Sequence, residues 1–371
     1  MISQLPLHGI SVISLEQAVS APFTSARLAD AGAEVTKVER PGGDFARGYD
    51  KVAAGQSSYF VWLNRGKKSV TLDIASKEGK SKLMNLISTS DVLIQNLKHG
   101  SLAKLGFDLN QLRENFPKLI ICSITGYGEC GPMSDRKAYD LLVQAETGLC
   151  SITGGPDEPA RVGISIVDIA TGATAYSAIL EALIRRSLTK RGAQISISMF
   201  DVMAEWLTVP LLNHEGGHPP KRIGLAHPSI APYGVFYTNK GPAVLISVQS
   251  DKEWVDLCSK FIGKPDLGVD PKFATNVARV KNRRETDAIV ADAFKKFDSK
   301  RATYLLKKAS IAFASMNDMD TLSQHPHLRR ISVETPNGTV SMPAPAPIWD
   351  GESRQFGPVP ELNGLEPQNG N

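Results

Sequence analysis

Residues Gly9–Glu39 read GISVISLEQAVSAPFTSARLADAGAEVTKVE. Gly9–Leu15 is a short apolar run of the kind a buried strand takes. A turn carrying Pro22 follows, then a helix that ends near Gly32, then a second strand over Glu34–Glu39. A strand–helix–strand unit of this length pairs its strands in parallel with a right-handed crossover.

Working outward, the alternation continues. SVTLDI (Ser69–Ile74), a helix over Lys77–Ile87, DVLIQN (Asp91–Asn96), two further helical pieces and LIICSITGYG (Leu119–Gly128) follow in order. Strands alternating with helices predict an α/β chain whose large domain is a doubly wound, Rossmann-like sheet. The opening unit resembles a dinucleotide-binding fold, but it lacks G-x-G-x-x-G and so the usual pyrophosphate cradle. That disfavours a nicotinamide-dependent enzyme. Ligands of such sheets gather at the carboxyl ends of the strands, which here carry Gln17–Ala21, Arg40, Asn96–Lys98 and Thr125–Gly128.

Arg161–Arg185, RVGISIVDIATGATAYSAILEALIR, adds one more carboxyl end. It reads as a strand over Val162–Val167 that delivers Asp168 into a turn, with Thr171 and Gly172 supplying turn and cap chemistry before a helix. At the positive end of that helix a carboxylate is held ionised, as nucleophilic attack on an acyl carbon requires. Read from local sequence alone, Asp168 is more simply a cap or turn residue; its place among the strands' carboxyl ends lifts it above that. A strand Ala193–Met199 and a helix near Asp201–Leu212 follow, then the Gly- and Pro-rich hinge Glu215–Ile223. The expected organisation is a large domain over 1–215, a smaller α/β domain over 224–320, and a segment 321–371 returning to the large domain. In that last segment two short strands flank a turn at Asn337–Gly338, and a Pro/Gly-rich tail from Gly357 is left to wrap a partner or stay disordered.

The 371 residues are 42% hydrophobic and 22% charged, ordinary for a globular protein with a core. A net charge of +4 spread along the chain gives no footprint for nucleic acid. The most apolar stretch, Ala173–Ile184, is interrupted by Thr174, Ser177 and Glu181, which speaks against a membrane span. The first residues carry no basic segment leading into a long apolar one, so a cytoplasmic location is expected. Cys122, Cys130, Cys150 and Cys258 lack C-x-x-C spacing and read as free thiols, and His325 and His327 make a poor chelate; no metal is expected.

The ordered series EQAVSAPFTSARLADAGAEVTKVERPGGD, LNRGKKSVTLDI, DVLIQNLKHGSLAKLGFD, ITGYGECGP, RKAYDLLVQAETGLCSITG, the Asp168 segment and TKRGAQISISMFDVM resembles the class III (CaiB–BaiF type) coenzyme A transferases over most of the chain. The resemblance implies an interlocked homodimer with Asp168 as nucleophile, passing through an aspartyl acyl anhydride and an aspartyl-CoA thioester. It implies no cofactor, coenzyme A thioester being a substrate alongside a carboxylic acid acceptor. The Ala18–Ala21 turn is the candidate donor to the oxyanions. By position, the coenzyme A contacts are Gln17, Ala18, Arg40, Leu72, Asn96, Leu97, Lys104, Lys137 and Met199, with Arg40 and Lys104 towards the phosphates. On the acyl side stand Val19, Tyr139, His227 and Tyr233.

Gln17 and Val19 replace the His and Gln of oxalate-type members, whose glycine-rich loop is not recognisable in GVFYTNKGPAV; both differences argue against a formyl or oxalyl substrate. The α-methylacyl-CoA racemases of the same fold are the main rival, but their catalytic His position is Tyr139 here, a poor base with a reference pKa of about 10. A non-catalytic acyl-CoA-binding protein is the third reading. The segments EQAVSAP and RVGISIVDIATG look most like members acting on C4 and C5 dicarboxylates: succinyl-CoA with itaconate, mesaconate, malate or citramalate. The free carboxylate of such an acid calls for an arginine, and Arg47, Arg161 and Arg222 are the candidates.

Overall fold

The computed structural model describes residues 5–351 and 354–364. Contacts divide the chain into two units. The first holds the described residues up to Leu149, Arg161–Leu211, and those from Arg329 on; the second holds Cys150–Ala160 and Leu212–Leu328. Residues 150–160, expected inside the large domain, thus belong with the second unit.

The first unit is built on a six-stranded sheet: β1 (Ser11–Leu15), β2 (Glu34–Glu39), β3 (Lys67–Thr71), β4 (Val92–Gln95), β5 (Ile120–Thr125) and β6 (Gln194–Ser198). The strands are all parallel in the order β3-β2-β1-β4-β5-β6, so the direction of winding reverses between β1 and β4. The doubly wound expectation is borne out. The helices up to the catalytic segment are α1 (Ser20–Asp30), α2 (Ser58–Asn64), α3 (Lys77–Ser88), α4 (Ser101–Lys104), α5 (Leu109–Asn115), α6 (Asp140–Glu146), α7 (Leu149–Ile152) and α8 (Ile166–Thr189). Alternation within the strands separates the layers. Val12, Val92, Ile94 and Ile120 pack with Leu28 of α1 and with Val167, Ala170, Ala175 and Ile179 of α8. Ile13, Leu93 and Ile121 face the other way, onto Leu83 and Ile87 of α3 and Leu112 of α5.

No strand exists over 162–167. Asp168 instead lies in the first turn of α8. The segment has no sheet neighbour, and its backbone is satisfied by side chains: Gln144 Oε1 accepts from the Val162 amide at 2.9 Å, and Asp140 Oδ1 accepts from the Val167 amide at 2.8 Å. Gly172 is likewise not a turn residue but an interior helical glycine, placed where α8 crosses α1. A Cβ there would lie 2.6 Å from the Ser20 carbonyl oxygen and 3.0 Å from the Phe23 side chain. Thr24 Oγ1 locks the crossing by donating to the Gly172 carbonyl at 3.1 Å. By length and composition alone α8 is apolar enough to cross a membrane; in this fold it buries one face, through Val167, Ala170, Thr171, Gly172, Ala175, Ile179 and Ala182, and leaves Ile184 and Leu188 exposed.

The expected helix near Asp201–Leu212 is two helices, α9 (Met199–Trp206) and α10 (Thr208–Glu215). In the second unit β7 (Tyr233–Phe236), β8 (Val244–Ser247) and β9 (Ala312–Ser315) form an antiparallel sheet. Phe236, Val244 and Ile246 pack with Trp254, Phe261, Val290, Phe294 and Leu306. From Arg329 the chain returns to the first unit through the hairpin β10 (Arg330–Thr335) and β11 (Gly338–Pro343). Thr335 pairs with Gly338, so the turn residues are Pro336 and Asn337, one position before the expected pair. The tail to Gly364 lies on its own unit: Gly66 donates to the Pro358 carbonyl, and the amide of Thr71 in edge strand β3 donates to Asn363 Oδ1. Residues 365–371 of the expected wrapping tail lie outside the described residues.

Gly172→Ala adds a methyl group against a backbone carbonyl, and the overpacking outweighs the gain in helix propensity. Thermal or urea unfolding of this variant should show a loss of about 1–2 kcal/mol; an unchanged midpoint removes the close contact as a determinant of the crossing.

Candidate active site

Asp168 opens onto a cavity of about 500 Å³ at the carboxyl ends of the strands, lined wholly by the first unit. Gln17, Ala18 and Val19 reach it from the β1–α1 turn, Asn96 and Leu97 from the end of β4, and Met199 from the end of β6. Lys137 and Tyr139 come from the loop before α6, and Arg161 from the segment before α8. A smaller cavity of about 90 Å³ shares Gln17 and Leu97 with it and adds Arg40 and Leu72. Residues far apart in the sequence thus meet along one edge of the sheet, at the point where winding reverses.

Other expected residues lie elsewhere. Lys104 is exposed at the end of α4 and lines neither cavity. His227 and Tyr233 belong to the second unit, where their rings stack 5.2 Å apart. Of the three arginine candidates, two are committed to the fold. Arg47 donates through Nε and Nη2 to the carboxylate of Glu39 at 2.9 and 2.7 Å and stacks over Phe60. Arg222 donates to the carbonyls of Gly155, Ser151 and Pro156. Arg161 meets only the carbonyl of nearby Gly163 at 3.5 Å, with no carboxylate in ion-pair range among the described residues.

Asp168 sits at a helix N-terminus, yet its electrostatics run opposite to the sequence expectation. Burial pushes its carboxyl up, and the carboxylate of Asp140 adds to the rise, while a hydrogen bond from the Ser20 hydroxyl opposes them; the result is about 7. Asp140 holds the start of α8 from outside the helix, its Oδ1 accepting from the amides of both Val167 and Asp168. It therefore takes the place of a local cap, since the Ser165 side chain makes no capping bond. Around the same carboxylate stand Tyr49, pushed up to about 12 by burial and by nearby Asp44 and Asp168, and Tyr59, whose hydroxyl lies 3.4 Å from Ser165 Oγ. Sequence reading missed Ser20, Tyr49, Tyr59 and Asp140. Ser20 lay within the quoted turn and Asp140 beside Tyr139, but nothing local marks either as a partner of Asp168.

Beneath the turn lies a buried charge cluster. Glu16 Oε1 accepts from Lys67 at 2.6 Å and from Lys37 at 3.5 Å, and Lys37 also meets Asp44 Oδ2 at 2.7 Å; all four side chains are sealed from solvent. Burial pushes the Glu16 carboxyl up, but Lys67 and Lys37 more than reverse this and hold it at about 2. Lys37 is pushed down by burial and, more strongly, up by Glu16, Asp44 and Glu39. Asn96, expected as a coenzyme A contact, spends its amide on the same turn: Oδ1 accepts from the Gln17 amide at 3.0 Å and Nδ2 donates to the Gln17 carbonyl at 2.9 Å.

A carboxylate set in a cavity at the winding reversal, with cations spaced along the same edge, suits covalent acyl transfer from a large anionic thioester. The CoA-transferase family III model matches residues 7–364, and the chain belongs to that family. It is 35% identical over 373 residues to the succinate–glutarate CoA-transferase of Agrobacterium fabrum, covering 96% of this chain and 93% of that protein. The human succinyl-CoA:glutarate CoA-transferase is 33% identical over 350 residues, covering 92% and 80%. Among solved structures, a CAIB/BAIF family protein from Brucella suis is 34% identical with a TM-score of 0.83, covering 98% of this chain and 97% of that one. The protein is therefore a family III CoA-transferase, as the motif series implied. Glutarate, named in both relatives, is a C5 dicarboxylate outside the acceptors expected from sequence.

A carboxyl group raised in the folded state binds a proton that the unfolded chain has released. Between about 4 and about 7 this group therefore makes stability fall as pH rises. Asp168→Asn abolishes that dependence, so the variant should gain thermal stability over wild type at pH 8 and much less at pH 4.5. Equal differences at the two pH values contradict the raised value.

Proposed function

We propose that the protein transfers coenzyme A between succinyl-CoA and a C4 or C5 dicarboxylic acid, with Asp168 as the covalent nucleophile. The observation that carries this reading is the half-buried Asp168 carboxylate sharing one cavity with Arg161, a cation free of any carboxylate partner among the described residues. An Oδ of ionised Asp168 attacks the thioester carbonyl and expels coenzyme A thiolate, giving a mixed anhydride. The thiolate attacks the aspartyl carbonyl and releases succinate, leaving an aspartyl-CoA thioester. The acceptor carboxylate attacks that thioester and displaces thiolate, and the thiolate then takes the acceptor acyl group and frees Asp168. A basicity near neutrality makes the ionised carboxylate a better nucleophile than an ordinary aspartate while leaving a useful fraction ionised at pH 7.

Ser20 and the first amides of α1 would meet the developing oxyanions, a role supported by Ser20 lining the cavity with Asp168. Gln17, Leu97, Arg40 and Leu72 would follow the coenzyme towards its nucleotide, and Lys137 and Met199 would bound the thioester end. Arg161 would hold the carboxylate of the acid that does not react. No cofactor enters these steps. The same reading carries a homodimer, supported by the exposed apolar side chains Trp206, Val209 and Leu211 on neighbouring helices.

The direct test is chromatography of succinyl-CoA incubated with glutarate, itaconate, mesaconate, citramalate, malate, oxalate or acetate. Wild type should form a new thioester with one or more dicarboxylates, and Asp168→Ala should lose roughly 10³-fold or more in rate. Arg161→Ala should raise the dicarboxylate KM roughly 10- to 100-fold. No new thioester, with solvent deuterium entering the α-carbon of a branched acyl-CoA, would replace transfer with isomerisation. Light scattering of the wild type at micromolar concentration should give twice the mass of one chain; a single-chain mass rejects the dimer.

A further inference from the structure

The β1–α1 turn contains a non-glycine residue in the left-handed region: Ala18 has φ +62°. An L-residue resists this conformation, so something must hold it there. Two side chains remote in sequence do so. Asn96 brackets Gln17 through both its amide and its carbonyl. Asp44 Oδ1 accepts from the Ala18 amide at 3.3 Å and from the Ala46 amide at 2.9 Å. The other oxygen of Asp44 is taken by Lys37 at 2.7 Å, with both side chains fully buried. The Asp44 amide donates to Glu39 Oε2 at 2.8 Å, and Glu39 is itself gripped by Arg47.

A buried ion pair is a poor source of net stability, and its best-attested use is to select one arrangement among several. The element selected here is the turn that places Ala18 and Ser20 on the cavity shared with Asp168.

We propose that Asp44, oriented by Lys37, is a positioning residue for acyl transfer: it pins Ala18 in the left-handed conformation and so holds Ser20, at the start of α1, in the cavity beside the Asp168 carboxylate. The inference rests on the transferase reading, and the wild-type assay above separates the two, since an absence of transfer in wild type would reject that reading before any variant is compared.

Asp44→Asn keeps the side-chain size but removes the charge that Lys37 orients. Its kcat should fall roughly 5- to 30-fold, the population cost of leaving an L-residue unpinned in the left-handed region, with the KM for succinyl-CoA little changed. Glycine adopts positive φ without that cost. In the Ala18→Gly background the same Asp44→Asn change should therefore lower kcat by less than about threefold relative to Ala18→Gly alone. An equal loss in both backgrounds, or no loss in the first, overturns the proposal.

Should Asp44→Asn fail to melt cooperatively, Ala18→Val against Ala18→Gly supplies the comparison with the buried cluster whole. The β-branched residue should give the lower kcat, with the KM for succinyl-CoA reporting any intrusion into the cavity. Equal kcat values in that pair overturn the proposal as well.

Discussion

The close crossing of α8 over α1 is the contact on which the site depends. Gly172 lets the helices come this close, because a Cβ there would press on the Ser20 carbonyl and the Phe23 side chain. With that approach allowed, the start of α8 comes down beside the start of α1, and Asp168 and Ser20 line one cavity. Thr24 fixes the crossing by donating to the carbonyls of both Ser20 and Gly172. Two helices from distant parts of the first unit thus present their amino ends to one cavity, above the reversal of winding between β1 and β4.

That arrangement alone would stabilise a carboxylate and make it a weak nucleophile. Burial prevents this, and Asp140, whose carboxylate accepts from the first amides of α8, adds to the effect; the Asp168 carboxyl rises to about 7 instead of being lowered by the helix end. The protein keeps the geometric benefit of a helix N-terminus and discards its electrostatic effect. Deeper in the unit the opposite solution operates: Glu16 is buried more completely than Asp168, but two lysines compensate it and it stays ionised. Two acidic side chains in one unit acquire different protonation behaviour from the sign of their neighbours.

The cluster also explains a departure from simple strand patterning. Ser14, Lys37 and Ser69 are register neighbours across β1, β2 and β3, so a polar row crosses the sheet on the face covered by α1. Unpaired, such a row would be prohibitively costly to bury. Here the row closes through Glu16 and Asp44 and anchors the turn that lines the cavity.

The alternation of short strand runs with helical segments determined the parallel sheet, because consecutive parallel strands need a crossover between them and a helix supplies it. The ordered motifs determined the family, and Asp168 stood out at a segment end. Other features are non-local. Val162–Val167 has the composition of a strand, yet it has no place in the sheet, and the side chains of Gln144 and Asp140 supply the partners its backbone needs. Arg47 and Arg161 look alike as isolated cations; only the folded chain shows one spent on Glu39 and the other facing the cavity. The protonation of Asp168 is likewise beyond local reading, since it is set by burial and by a carboxylate 28 residues away in sequence. Sequence periodicity fixes which segments pair with solvent and which with a core, whereas charge and commitment depend on distances that exist only after the helices have crossed.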